Sequence, residues 1–337
     1  MERRHFMGSR KIDLSKYLWI TSYDDDFTFS YSKDCYYCIN GDGYWKYLPA
    51  NTTSDAISFN IPCVVKGTDS AAGTFTFNGT CDVRGTPLSM VYGDNVEYDT
   101  VLSKYKQLAE LFKDCTTIKY AWLDWSHIKS ITGLFVCRSM FEGCTGLIQT
   151  ELYFTNLESV ENRCYYSMFK GCTSLTTVYG TIPVVAQHSC SEMFYGCTNL
   201  SSISSDFLPA TTLASSCYSY MFHDCTSLTT GPGLPATTLV SSCYASMFNG
   251  CTSLKMAPIL LANTLVDDCY TMMFFGCTNL AWIHARFLTI PSDDYMDYWV
   301  YGVSDSGAIM LNSNITWDPE DYRGGSGIPE GWTITTV

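Results

Sequence analysis

The sequence predicts an α/β repeat fold, with a central solenoid of about seven units between an N-terminal antiparallel β-sandwich and a small C-terminal β cap. A phrase ending in Cys-Thr recurs every 25 to 29 residues, with apolar residues spaced four apart before it and a strand-like stretch after it. This period indicates stacked units that bury their apolar faces against each other. The phrases end at Cys115, Cys144, Cys172, Cys197, Cys225, Cys251 and Cys277.

Within each unit, the residues before Cys-Thr predict a short helix. Cys243, Met247 and Cys251 are four apart, and such residues share one face of a helix. Gly250 precedes the second cysteine, where glycine suits a helix end in the left-handed conformation. Phenylalanine follows each methionine and widens the apolar stripe. The predicted structural ladder comprises Cys144, Cys172, Cys197, Cys225, Cys251 and Cys277 with Met168, Met193, Met221, Met247 and Met273.

A strand and a return complete each predicted unit. Residues 175–178 read Leu-Thr-Thr-Val, and leucine with β-branched residues suits a strand. Residues 234–239 form a turn, because Pro235 removes a backbone donor. Stacked units would form a parallel sheet with strands about 4.8 Å apart. The strand side is the predicted binding face, with Thr176, Ser202, Thr229 and Lys255 as candidate residues.

The repeat also resembles a known family. Residues 243–254 read Cys-Tyr-Ala-Ser-Met-Phe-Asn-Gly-Cys-Thr-Ser-Leu, and residues 234–239 read Leu-Pro-Ala-Thr-Thr-Leu. These phrases resemble the BspA-type leucine-rich repeat over roughly residues 108–285. The resemblance implies a right-handed solenoid with a strand-lined face and no catalytic residue.

The ends of the chain carry a second resemblance. Residues 1–18 and 302–332 resemble proteins encoded by phages and prophages of gut Bacteroidales. This resemblance implies a non-enzymatic virion protein, a head fibre or a tail-associated decoration, that attaches to a host surface, a glycan or another virion protein. The alternative is a bacterial cell-surface adhesin of the BspA-like family.

The flanking segments show no repeat. Alternation predicts half-buried strands at Phe27–Tyr31, Ile57–Ile61 and Thr74–Phe77, and residues 102–112 predict a linking helix. Near the end, residues 315–317 and 331–334 predict two short strands of the cap. The predicted domains are a basic tail or anchor at 1–20, the β-sandwich at 21–105, the solenoid at 106–285 and the cap at 286–337.

The seventeen cysteines are interpreted as buried thiols that fill a narrow core. The two cysteines of a predicted helix are about 12 Å apart, beyond the reach of a disulfide. The alternatives are disulfides between units and metal binding by thiolates. Against metal binding, Cys35 and Cys38 form the only Cys-x-x-Cys pair in the sequence, and a zinc site of that type needs a second such pair. A cysteine nucleophile would need a histidine, and His223 lies two residues from Cys225, which places them on different helix faces. We therefore predict no enzymatic activity and no cofactor.

Charge and hydropathy limit the partners. The net charge of −13 argues against nucleic-acid binding, and no apolar run approaches the ~18 residues of a membrane helix. Acidic clusters such as Asp24–Asp26 are interpreted as solvated surface, with calcium binding as the alternative. The start of the sequence lacks the apolar core of a secretory signal. We therefore expect a virion protein made in the host cytoplasm, or alternatively a cell-surface protein.

The basic start is a candidate anchor. Arg3, Arg4, Arg10 and Lys11 could contact an acidic partner, or they could belong to a disordered terminus. The expected partners are other virion proteins and a host surface glycan or protein, and we also expect a homo-oligomer.

Overall fold

The computed structural model describes residues 12–22, 24–97, 100–289, 293–316 and 327–337. Within these residues the chain is almost entirely strands and turns, with one four-residue helix, α1 (Ser89–Tyr92), and two short 3-10 segments, Leu14–Lys16 and Asp293–Met296. The strands are β1 (Leu18–Ser22), β2 (Thr28–Tyr31), β3 (Cys35–Ile39), β4 (Lys46–Leu48), β5 (Cys63–Gly67), β6 (Phe75–Asn78), β7 (Cys81–Gly85), β8 (Thr100–Leu102), β9 (Ile118–Leu123), β10 (Ile128–Ile131), β11 (Gln149–Tyr153), β12 (Ser159–Val160), β13 (Thr177–Thr181), β14 (Ser202–Ile203), β15 (Trp282–His284), β16 (Gly307–Leu311) and β17 (Trp332–Thr336).

A nine-stranded sheet runs through the N-terminal part and the first coils of the solenoid. Its order is β14-β13-β11-β9-β7-β1-β5-β3-β4. The strands from β7 to β14 pair in parallel, whereas β7, β1, β5, β3 and β4 pair antiparallel. Because β7 pairs directly with β9, the sheet crosses the boundary predicted near residue 105 without a break. A separate sandwich domain at 21–105 stays a prediction.

Three smaller sheets complete the described structure. Strands β12-β10-β8 and strands β15-β16-β17 form parallel sheets, and β2 pairs antiparallel with β6. The predicted N-terminal segments at Phe27–Tyr31 and Thr74–Phe77 overlap β2 and β6. Residues 57–61 are not a strand, because only Ile57 forms a bridge, to Phe27. In the C-terminal part, residues 331–334 overlap β17, whereas Ile315 and Thr316 lie outside any strand and residue 317 is outside the described residues.

The predicted helix of each unit is wrong: these residues form a ribbon of tight turns. Ala245 donates its N–H to the carbonyl of Ser242 (3.2 Å), whereas Tyr244 donates to Cys269 in the next coil (3.2 Å). An α-helix directs these N–H groups along its own axis and cannot join neighbouring coils in this way. The repeat is therefore a β-solenoid rather than an α/β repeat. Every fourth residue has a left-handed backbone, as at Ser242 (φ 56°), Ser246 (φ 54°) and Gly250 (φ 75°).

The turn ribbon keeps the predicted interior face. Because its backbone repeats every four residues, Cys243, Met247 and Cys251 all lie in the core with no exposed surface. The same geometry extends to residues 106–114, which overlap the linking helix predicted at 102–112, so that prediction is wrong as well. Glu110 in that segment donates its N–H to Arg138 of the following coil (3.0 Å).

The described residues contain eight turn ribbons, one more than the Cys-Thr phrases. The eighth lies at residues 295–302. There the backbone carbonyl of Trp299 accepts a hydrogen bond from the N–H of Phe274 (2.7 Å), and the carbonyl of Tyr301 accepts one from the N–H of Gly276 (2.8 Å). It lacks the Cys-Thr phrase, and for that reason the repeat pattern did not reveal it. Part of the predicted cap is thus a further coil.

Phenylalanine rings form a continuous stack along the core. Neighbouring ring centroids are 5.0–5.7 Å apart, with planes within 22° of parallel. Offset stacking at this spacing is favourable, and it ties each coil to its two neighbours. Because the stack begins in β6, it joins the N-terminal part to the solenoid. Its members are Phe75, Phe112, Phe141, Phe169, Phe194, Phe222, Phe248 and Phe274.

Candidate functional site

The side of the nine-stranded sheet that faces away from the phenylalanine stack is the candidate site, and we name it the outward sheet face. In β13, Val178 and Gly180 are buried, whereas Thr177 and Thr181 are partly exposed and Tyr179 is 44% exposed. Alternate residues of a strand point to opposite sides. Gly180 allows a close approach of the neighbouring strand, since a Cβ there would lie 2.1 Å from the carbonyl oxygen of Leu152.

The strand register aligns large polar and aromatic side chains across this face. Tyr179 lies opposite Glu151, Glu151 opposite Trp122, Trp122 opposite Arg84, and Arg84 opposite Trp19. These five residues, the aromatic row, occupy five adjacent strands. Since adjacent strands are about 4.8 Å apart, the row extends about 19 Å.

Arg84 organises the centre of the aromatic row. Its guanidinium carbon lies 4.0 Å from the ring centre of Trp122 and 5.5 Å from that of Trp19. The buried carboxylate of Asp82 lies 3.1 Å from an Arg84 nitrogen. Tyr120 stacks on Trp122 at 5.0 Å with planes 11° apart. The Asp82 carboxylate holds the Arg84 guanidinium in place between the two rings, and the guanidinium therefore fixes the orientation of the Trp19 and Trp122 indoles.

Two exposed tyrosines lie at the end of the aromatic row. Tyr179 on β13 is 44% exposed and Tyr153 on β11 is 49% exposed, and Tyr153 lies opposite Thr181. Their neighbours Glu151 and Gln149 are partly exposed. Exposed aromatic rings beside carboxylate and amide groups combine flat apolar surface with hydrogen-bonding groups.

The predicted binding residues lie on or beside this face. Ser202 is exposed on β14 and pairs with Thr177. Thr176 is half-buried, and its hydroxyl donates to the carbonyl of Ile148 (3.1 Å). Thr229 and Lys255 are exposed on the two following coils, where the N–H of Lys255 donates to Thr229 (3.4 Å). The structure thus brings these four residues to one side of the solenoid.

Sequence reasoning missed the aromatic row itself. The signal was present in residues 118–123, Ile-Lys-Tyr-Ala-Trp-Leu, where Tyr120 and Trp122 alternate with buried Ala121. Trp19 and Arg84 could not be joined to them from the sequence, because the pairing of β7 with β9 unites two regions that had been assigned to different domains.

The structural ladder lies wholly in the core. All seventeen cysteines are buried and unpaired, and Met168, Met193, Met221, Met247 and Met273 have no exposed surface. The second thiol of each unit donates to a phenylalanine carbonyl of the preceding coil at 2.9–3.2 Å. The ladder thiols are Cys144, Cys172, Cys197, Cys225, Cys251 and Cys277.

The structure does not form the Cys–His pair considered above. The thiol of Cys225 donates to the carbonyl of Phe194 (3.2 Å) inside the core. His223 instead stacks on Tyr195 at 4.5 Å, and its Nδ1 is 3.1 Å from a carboxylate oxygen of Asp224. Burial raises the pKa of the Cys225 thiol well above its usual value, so the thiolate that a nucleophile requires is disfavoured.

Arg3, Arg4, Arg10 and Lys11 lie outside the described residues. Among the residues that the structure does describe, no three His, Cys, Asp or Glu side chains are grouped to hold a metal ion. In the same part of the chain, none of the helices has the length and apolar character needed to cross a bilayer.

Comparisons with known proteins concern mainly the repeats. Residues 106–233 and 137–263 match a family described as "Mycoplasma protein of unknown function, DUF285". No curated protein matches the chain. A leucine-rich repeat protein from Bacteroides ovatus ATCC 8483 is similar in structure, with 18% identity and a TM-score of 0.35. That similarity covers 62% of this chain and 57% of the other, so the chain spans little more than half of that protein.

Proposed function

We propose that the protein is a non-enzymatic attachment protein that binds a neutral carbohydrate on its outward sheet face. The observation that supports this most directly is the aromatic row, which aligns Tyr179, Glu151, Trp122, Arg84 and Trp19 on adjacent strands. Sugar rings present apolar faces that stack on aromatic side chains, and their hydroxyl groups exchange hydrogen bonds with carboxylates, amides and guanidinium groups. A row about 19 Å long would accommodate an oligosaccharide rather than a single sugar.

Replacing Tyr179 or Tyr153 with alanine tests this proposal. We expect each change to weaken oligosaccharide binding about tenfold, because an exposed ring that stacks on a sugar is lost while the core is untouched. Soluble oligosaccharides of xylan, mannan, β-glucan and chitin would serve as probes, first on an array and then by calorimetry with those that bind.

Tyr301→Ala is the matched control, since Tyr301 is 52% exposed but lies on the eighth turn ribbon, away from β13. This variant should bind as the unchanged protein does. The proposal is wrong if none of the neutral oligosaccharides binds, or if Tyr301→Ala weakens binding as much as Tyr179→Ala.

We further propose that this attachment serves a phage virion, as a head fibre or tail-associated decoration. The support is the resemblance of the two ends of the chain to phage-encoded proteins, together with the chemistry of the core. Reduced thiols such as Cys225 and Cys251 hydrogen-bond inside the core, and such a core suits folding in a reducing cytoplasm. In a particle the chain would be a homo-oligomer that contacts other virion proteins.

Mass spectrometry of purified particles tests the virion proposal. Peptides of this chain should be present in stoichiometric amounts after gradient purification. The alternative function, as a bacterial cell-surface adhesin, would be favoured by the opposite result. In that case peptides of this chain would be absent from particles, and a protease added to intact bacteria would release them.

A further inference from the structure

A concave site lies on the turn ribbons, away from the outward sheet face. It is a cleft of about 400 Å³ that crosses four successive coils, and we name it the arginine cleft. None of its lining residues belongs to the aromatic row. The lining residues that carry the inference are Phe135, Arg138, Arg163, Tyr166, Glu192 and Tyr220.

Two guanidinium groups of the cleft have no acidic partner. The guanidinium carbons of Arg138 and Arg163 lie 5.4 and 5.6 Å from the ring centre of Phe135. Among the described residues, neither arginine forms an ion pair with a carboxylate. The Nε of Arg138 is buried without a hydrogen-bond partner. A buried donor without a partner is costly, so the protein itself does not fully satisfy this guanidinium.

The nearby carboxylate of Glu192 is already engaged. Its Oε1 accepts from the hydroxyl of Tyr166 (2.6 Å), and its Oε2 accepts from Lys170 (2.6 Å) and Ser167 (3.3 Å). Burial raises the pKa of Glu192, but the hydrogen bonds from Lys170 and Tyr166 outweigh it and lower the pKa overall. Glu192 therefore stays ionised and is neutralised by Lys170. The uncompensated charge of the cleft is positive, although the chain carries a net charge of −13.

We infer that the arginine cleft binds an acidic sugar, with the sugar carboxylate held by Arg138 and Arg163. Guanidinium groups form charge-assisted hydrogen bonds to carboxylates, often in pairs. Tyr166 and Tyr220 add aromatic surface for the sugar ring, and Tyr220 is 42% exposed. This site goes beyond the proposed function, because it lies on a different surface and selects for charge.

His188 would contact the neutral part of such a ligand. Burial, and then the charge of Arg163, lower the pKa of His188 below its usual value. The ring is therefore uncharged at neutral pH, when one nitrogen donates and the other accepts. A neutral imidazole suits sugar hydroxyl groups and leaves the two arginines as the groups that recognise the anion.

Calorimetry with tetragalacturonate tests the inference in the full-length protein. The unchanged protein should bind tetragalacturonate, and binding should weaken as NaCl is raised because the contact is ionic. The variant R163Q should lose about tenfold in affinity through loss of a charge-assisted hydrogen bond. Arg163 is exposed, so the variant should fold, and its thermal unfolding should match that of the unchanged protein.

The matched control is R286Q, since Arg286 is an exposed arginine outside the cleft. It should bind tetragalacturonate with unchanged affinity. Galactotetraose, the neutral counterpart, should bind at least about tenfold more weakly than the acid. Equal binding of the neutral sugar, competition by inorganic phosphate alone at the same concentration, or no effect of R163Q would overturn the inference.

A further variant separates this inference from the proposed function. Tyr179→Ala should weaken the binding of neutral oligosaccharides and leave the binding of tetragalacturonate unchanged. R163Q should show the reverse pattern. If Tyr179→Ala also abolishes tetragalacturonate binding, the acidic sugar binds the outward sheet face and the arginine cleft is not its site.

Discussion

Phe222→Ala lowers the free energy of unfolding by about 3–5 kcal/mol, the cost typical of removing a buried phenylalanine side chain. Phe222 has no exposed surface and lies in the middle of the phenylalanine stack. Its ring centroid is 5.5 Å from that of Phe194 and 5.5 Å from that of Phe248, with planes 3° and 11° from parallel. The alanine leaves a cavity between two coils, and both neighbouring rings lose a contact face.

Urea unfolding followed by circular dichroism measures this loss. The matched control is Phe275→Ala, which removes the same atoms from a half-buried ring that stacks on Tyr301 at 5.3 Å. Phe275→Ala should cost less than half as much. Because each coil contacts chiefly its neighbours, hydrogen exchange in Phe222→Ala should accelerate first in the coils around Phe194 and Phe248. Equal costs for the two substitutions would contradict the assignment of the stack as the main core.

The interior face of the repeat could be predicted from the sequence, but its backbone could not. A spacing of four is shared by a helix and by the turn ribbon, so Cys243, Met247 and Cys251 fall on one face in either case. The left-handed positions carry no consistent local signal. Gly250 suits one, but Tyr220 (φ 57°) and Met272 (φ 53°) occupy equivalent positions against their intrinsic preference.

Hydrogen bonds between coils offset that local cost. The N–H of Met272 donates to the backbone carbonyl of Asp297 in the following coil (2.7 Å), and the N–H of Tyr220 donates to the backbone carbonyl of Ala245 (2.9 Å). These two left-handed residues thus have their donors satisfied by residues distant in sequence. An interaction of this kind exists only once the coils are stacked, so no window of the sequence shows it.

The candidate site was predictable only in its location. The strand side of the repeat was identified from alternating residues around Thr176 and Ser202, and the structure places both on or beside the outward sheet face. The aromatic row depends on register across β1, β7 and β9, and register between distant strands is set by packing rather than by local pattern. The arginine cleft likewise depends on how four coils align.

The thiols give the second large expected effect: at pH 8, iodoacetamide should label the folded protein at least about a hundredfold more slowly than the unfolded protein. All seventeen cysteines are buried. Burial raises the pKa of Cys217 and of Cys243 from 9.0 to about 12. At pH 8 a thiol with a pKa of about 12 is about 10⁻⁴ thiolate, against about 10⁻¹ at its usual pKa, and the thiolate is the reactive species.

Cys38 is the internal control for this experiment. It lies on the side of β3 away from the main core, where it is covered by Ile12, Leu14 and Trp45. A thin cover should make Cys38 the first cysteine to react as urea is added. The remaining thiols should be labelled together, at the urea concentration at which circular dichroism reports unfolding. A core cysteine that reacts rapidly in the folded protein would contradict a purely structural role and would favour a nucleophile.

The same thiols make stability depend on alkaline pH. A group whose pKa is raised on folding stabilises the protein fully below its unfolded value, here 9.0, and the contribution falls as pH rises toward the folded value of about 12. The free energy of unfolding should therefore decline above pH 9. At pH 10, iodoacetamide should label the thiols to the extent that the protein unfolds. Cys243→Ala keeps a small apolar group at one of these sites and removes its ionisable thiol. If thiol ionisation is the cause, this variant should lose less stability between pH 9 and pH 10 than the unchanged protein.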